Sequence, residues 1–183
     1  MKRKTNTRKL TTMAIMIAVS VVLVYFIHFP IFPTVAFLEY DPADIAILVC
    51  GFAFGPLAGI CVTVAASIVQ GLTVSAGSGL YGILMHIIST STFVLVSSLI
   101  YRSHKSKKGA AIAVICGVLA MTLIMIPANL FITPIFMGAP RQLVIDLLGF
   151  IVAFNAIKAG INGLITFFLY KHISRLLKKL EVK

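Results

Sequence analysis

Long apolar runs, each broken by glycine, proline or a cluster of charge, fill the chain; they are too long for strands and too uniformly apolar for the surface helices of a soluble domain. A helix needs about 20 mostly apolar residues to cross the hydrocarbon of a bilayer. The first run covers Leu10 to His28, after which Pro30 and Pro33 forbid regular helix and leave Phe29 to Tyr40 as a loop. Asp41 and Pro42 are helix-opening residues, an oxygen that caps a free amide followed by a ring with preset φ. A second helix is therefore predicted from Pro42 to Phe54. Gly55 and Pro56 stop it and start a third, which continues to Thr73. Small residues from Ser75 to Gly79 make the next loop, a fourth helix covers Leu80 to Tyr101, and a fifth runs from Gly109 to Phe136, with Pro127 and Pro134 expected to kink or end it. The last apolar run, Leu143 to Tyr170, is longer than one crossing needs, and its first part is expected to tilt or to lie at the interface. The pattern predicts an all-α membrane protein of six transmembrane helices, folded as a single integral-membrane domain over residues 1–183.

Composition and charge sharpen this. With 60% of 183 residues hydrophobic, water cannot be the main solvent. A net charge of +11 would point to nucleic acid in a soluble protein, but here the charge is gathered between the apolar runs. One cluster is Lys2, Arg3, Lys4, Arg8 and Lys9, a second Arg102, Lys105, Lys107 and Lys108, and a third Lys171, Arg175, Lys178, Lys179 and Lys183. Cytoplasmic flanks of membrane helices are enriched in Lys and Arg, so all three clusters are placed in the cytoplasm. An even number of crossings then puts both termini and the Arg102 loop on one side, with Glu39, Asp41, Asp44 and Asp146 toward the other. The first run follows basic residues as a signal peptide would, yet lacks a small-residue cleavage site before Pro30 and is read as a retained helix. Cys50, Cys61 and Cys116 have no CxxC spacing and no nearby histidines, so they are expected to be buried free thiols, with no metal site.

Lys158 is the residue that most invites chemistry. It lies between apolar runs, more than two turns before Lys171, where an unpaired charge costs roughly 2.5–3.5 kcal/mol to insert. Asn155 and Asn162 share its helical face, a stripe that must meet other helices or a pocket, and Asn129 of the fifth helix is the candidate to meet it. Asn129 could instead hold helices together or bond carbonyls freed by Pro127. Two asparagines and a lysine can read a ring edge of alternating carbonyl and imide groups, with Phe37, Leu38, Tyr40 and Phe154 as apolar walls. Glu39, Asp41 and Asp44 could take hydroxyls or a cation, although Asp41 also reads as a helix cap and Asp44 as a first-turn acid favoured by the helix dipole. His86, Ser89 and Ser91 suggest a hydrolase but sit on one apolar helix without an oriented acid, so no catalytic residue is assigned. No GxxxxGK[ST] sequence occurs, so the chain is not expected to hydrolyse ATP. Ala14 and Ala18 form an AxxxA stripe on which another helix can lie closely. Three readings stand on these residues: a solute-binding transport subunit, an intramembrane enzyme acting on lipid or peptide, and a structural adaptor that would not need Lys158.

Taken together, the AxxxA of the first helix, FLEYDPADI at Phe37 to Ile45, GFAFGPLAG at Gly51 to Gly59 and FNAIKAGIN at Phe154 to Asn162 resemble the S components of energy-coupling-factor transporters, most of all the riboflavin-specific type. The resemblance spans essentially the whole chain. It implies a non-enzymatic membrane subunit that binds a vitamin from outside with high affinity and delivers it inward with a transmembrane coupling protein and two cytoplasmic ATPases. By position it implies that Asn129, Asn155 and Lys158 contact the flavin ring edge, that Glu39 to Asp41 meets the ribityl hydroxyls beside Leu38 and Tyr40, and that Ala14 and Ala18 face the coupling protein. Riboflavin would be the transported ligand rather than a cofactor. Pantothenate, pyridoxine-type and thiamine-precursor substrates belong to the same class. The resemblance also implies a prokaryotic plasma membrane.

Overall fold

The computed structural model describes residues 7–181, with side chains to Leu169. Lys2, Arg3, Lys4 and Lys183 of the basic clusters lie outside the described residues, as do the side chains of Lys171, Arg175, Lys178 and Lys179.

The chain is an all-α membrane-type bundle. α1 covers Thr7–Phe26, α2 Ala43–Phe54, α3 Pro56–Leu72, α4 Gly79–Ser103, α5 Lys107–Met137, α6 Arg141–Asp146 and α7 Leu148–Glu181. Four helices, α1, α4, α5 and α7, are long and apolar enough to cross a membrane, whereas α2 and α3 are shorter apolar helices of 12 and 17 residues. Between α1 and α2 the chain pairs with itself as a two-residue ribbon, β1 at Phe29–Pro30 against β2 at Glu39–Tyr40.

α2 is the central element. Every residue from Ala43 to Phe52 is buried, because α1, α3, α4 and α7 all pack around it. Its start follows the expected chemistry, shifted by one residue: Asp41 Oδ1 accepts from the Ala43 amide at 3.0 Å. Gly55 turns the corner into α3 with φ 91°, a conformation closed to residues with a Cβ. Gly51 and Gly59, flanking the corner, both press on Val94 of α4, so this glycine spacing serves close approach within the chain. Outward-facing apolar side chains such as Leu57, Leu80, Leu123, Ile135 and Phe168 are those a bilayer would cover.

α5 continues through Pro127 and Pro134 to Met137, so neither proline ends it where it stands. Two details differ from expectation. The last apolar run divides at Leu147 into the short α6 and the long α7. Of the cysteines only Cys50 is buried; Cys61 is exposed and Cys116 half-buried, since they lie on helix faces turned away from the core.

α4 and α5 make the most extensive helix pair, and their seam closes at Gly117. A Cβ there would overlap Ser97 Oγ and lie 2.7 Å from the Phe93 ring. Gly117→Leu is therefore expected to destabilise the bundle by about 1–3 kcal/mol, read as a lower melting midpoint in detergent. An unchanged midpoint would mean the seam is looser than its packing implies.

Candidate functional site

One cavity of about 110 Å³ opens between the first loop, α3, α4, α5 and α7, large enough for several water-sized bodies. The loop is held as its wall by an apolar cluster in which Val35, Leu38 and Tyr40 pack against Val144 of α6 and Ile151 and Phe154 of α7. This docking explains why a segment rich in proline is ordered enough to shape a site. Phe37, Leu38, Glu39 and Asp41 line the cavity from the loop, and Phe154, Asn155 and Lys158 line it from α7.

Lys158 is 6% exposed, and its Nζ donates to Asp41 Oδ2 at 2.6 Å. The pair removes the main objection to a lysine in an apolar helix, because each charge meets its opposite as it leaves water. An ammonium carries three N–H donors, so donors remain for the cavity. Asn155, one turn earlier on the same face, commits an N–H to the Ile151 carbonyl, and its Oδ1 makes no hydrogen bond among the described residues.

Asn162 has a different task. Its Nδ2 donates to the Asp41 carbonyl and to Asp44 Oδ2, both at 2.9 Å, and its Oδ1 accepts from Tyr40 Oη at 3.0 Å. One amide thus ties the loop, α2 and α7 together. Burial, with the Asp41 and Asp44 carboxylates nearby, pushes the Tyr40 phenol up, which keeps it the neutral donor that this bond requires. Asp44 is fully buried; its Oδ1 accepts from Thr90 Oγ1 at 2.6 Å and lies 3.7 Å from His86 Nε2.

Of the residues singled out in the sequence, Phe37, Leu38, Glu39, Asp41, His86, Ser89, Phe154, Asn155 and Lys158 converge on the cavity. Tyr40 and Asn129 do not line it. Tyr40 is turned to Asn162, and Asn129 is fully buried, bonded through Nδ2 to the Met125 carbonyl and through Oδ1 to Thr133 Oγ1. Thr133 is in turn within 3.0 Å of Tyr81 Oη, and Tyr81 lines the cavity while stacking on Phe136 at 4.0 Å. The His86 ring bonds not Ser89 or Ser91 but Ser67 of α3, at 2.7 Å from Nδ1, and Ser67 donates its own O–H to the Thr63 carbonyl. Ser67 and Gln70 went unread, and His86 was read only toward Ser89 and Ser91, because no sequence spacing relates α3 residues to an α4 residue. Ala14 and Ala18 are exposed on α1, one turn apart, on a face that adjoins the side from which Met13, Met16 and Ile17 pack on the core. Among the described residues no group of His, Cys, Asp and Glu is placed to hold a metal ion.

Three comparisons bear on what such a cavity is for. Residues 8–170 match the family model described as ECF transporter, substrate-specific component. The chain is similar to the riboflavin transporter RibU of Staphylococcus aureus, 27% identical over 189 aligned positions that cover 98% of each chain. It is also similar to RibU of Streptococcus thermophilus, 26% identical over 96% of this chain and 87% of that one, and to the riboflavin transporter FmnP of Bacillus subtilis, 27% identical over 64% and 62%. The solved S component of a bacterial ECF transporter superposes with a TM-score of 0.80 at 27% identity, covering 94% of this chain and 98% of the other.

Proposed function

Since the chain belongs to the family of ECF transporter substrate-specific components, we propose that it is the riboflavin-binding membrane subunit of such a transporter. One observation in the structure carries the reading: a lysine deep in an apolar helix, paired with Asp41 and beside Asn155, faces a cavity walled by Leu38 and Phe154. That is the mixture a small-molecule site uses, apolar walls for the bulk of the ligand and a few polar groups for its orientation. The Lys158 ammonium and the Asn155 amide suit the carbonyl and imide edge of a flavin ring, and the apolar walls suit its dimethylbenzene end. Asn129 would act from behind, fixing Tyr81 through Thr133.

The remaining expectations complete the proposal. The chain is a multi-pass protein of a prokaryotic cell membrane, with α2 and α3 as the shorter of six crossings, both termini cytoplasmic and the cavity opening outward. It works with a transmembrane coupling protein and two cytoplasmic ATPases, and ATP is their substrate, for which the absence of a phosphate-cradling GxxxxGK[ST] loop is the supporting observation.

The test is direct. The protein, purified in detergent without added ligand, is expected to be yellow, with flavin absorption and fluorescence in stoichiometric amount. A colourless protein that also ignores added riboflavin would reject this vitamin and send the search to pantothenate and pyridoxine.

A further inference from the structure

The α3–α4 side of the cavity carries polar groups that the lysine does not touch. Gln70, 5% exposed, sits in the last turn of α3 and lines the cavity. Its backbone carbonyl accepts from the amides of Thr73 and Ser75, so the residue is anchored where the helix ends. Its side-chain Nε2 donates to Ser20 Oγ of α1 at 3.0 Å, and Ser20 is fully buried and outside the cavity lining. This bond decides which end of the amide turns inward to α1. The carbonyl Oε1 has no hydrogen-bond partner among the described residues and keeps accessible surface, on a residue that lines the cavity.

Its neighbours reinforce that polarity. Ser89 gives its proton to the His86 carbonyl at 3.2 Å and keeps only lone pairs for the cavity. Of the two loop carboxylates on the cavity, Asp41 has both oxygens engaged, one by the Ala43 amide and one by Lys158, and Glu39 is the other. The α7 wall thus holds the cationic donor, beside the Asn155 side-chain carbonyl, and the loop holds the Glu39 carboxylate, whereas α3 and α4 present neutral acceptors.

Resting on the riboflavin reading, we propose that Gln70 is a specificity-determining residue: its side-chain carbonyl accepts a hydrogen bond from a hydroxyl of the ligand's flexible chain, and Ser20 is the positioning residue that holds the amide the right way round. A ring whose edge accepts hydrogen bonds is drawn to α7, and a chain of hydroxyl donors to α3 and α4. A flavin without the chain makes the first set of contacts and forgoes the second.

The experiment compares two flavins on one protein. Fluorescence-quench titrations with riboflavin and with lumiflavin, in which a methyl replaces the ribityl chain, separate chain recognition from ring recognition. Gln70→Leu is expected to weaken riboflavin at least about 10-fold, since a buried hydroxyl loses its acceptor, and to leave lumiflavin within about twofold. Ser20→Ala should weaken riboflavin selectively in the same sense, and Gln70→Met carries the same expectation as Leu should that variant fail to accumulate. A parallel loss for both flavins, or an unchanged riboflavin affinity, overturns the assignment of Gln70. Wild-type protein that binds neither flavin overturns the vitamin reading itself, a result distinct from either.

Discussion

Lys158→Met is expected to lower riboflavin affinity at least about 100-fold, the equivalent of roughly 3 kcal/mol, because a charge-assisted hydrogen bond inside an apolar cavity has no water to replace it. The substitution has a second effect that must be separated from the first. It leaves the Asp41 carboxylate, half-buried and facing the cavity, without the cation at 2.6 Å that now compensates it. Removing one partner of such a pair costs about 3–5 kcal/mol of stability, so a loss of binding could come from a bundle that has loosened. Asp41→Asn in the same chain removes the orphan charge while keeping an oxygen for the Ala43 amide. The double variant should regain the melting midpoint of the wild type and still fail to bind riboflavin. Were it to bind normally, the task of Lys158 would be to neutralise Asp41, and the ligand contacts would have to be sought on Asn155 and the α3–α4 wall.

The residues that could be read in the sequence and those that could not differ in a physical way. Boundaries set by local chemistry were legible: Asp41 and Pro42 open α2, and Gly55 and Pro56 turn into α3, because caps and φ restrictions act within a few residues. Lys158 stood out because burying its charge is expensive wherever it points, and Asn155 followed because residues three apart share a helical face. What these side chains bond to was a different matter. Asp41 and Lys158 are 117 positions apart, and Tyr40 and Asn162 are 122 apart, distances over which no pattern in one sequence relates two residues. Asn162 was legible as part of a stripe that must meet other helices or a pocket, and it meets helices: both polar atoms of its side chain are used in tying the loop to α2 and α7. For Asn129 the sequence left a structural role beside the ligand role: an asparagine in a membrane helix can satisfy itself on the preceding turn, as this one does on Met125. The excess length of the last apolar run showed that its first part differs from the rest, but the break at Leu147 could not be placed because apolar residues continue through it.

Replacing Ala14 and Ala18 together by Trp is expected to leave riboflavin affinity within about twofold and to abolish uptake by the assembled transporter, a loss of at least about 10-fold that follows from steric exclusion of a closely packed helix. The geometry of α1 makes the separation possible. Ser20 and Val24 are its only buried residues among those described, with Met13, Met16 and Ile17 packed beside them on the core side. Ala14 and Ala18 lie one turn apart, both exposed, on a face beside that core side and outside the cavity lining, where an indole adds bulk to the surface of α1. A large side chain there meets lipid in the isolated subunit, which tolerates it, but it holds a partner helix several ångströms away in a complex. Binding in detergent and uptake in cells or proteoliposomes thus report on different faces of the same chain. Uptake at the wild-type rate would show that the coupling protein docks elsewhere, and the basic loop between α4 and α5 would then be the next surface to alter. Loss of both binding and uptake would instead show that α1 is held more tightly to the cavity than its two buried side chains imply, and the Gln70–Ser20 bond is the contact through which such a disturbance would travel.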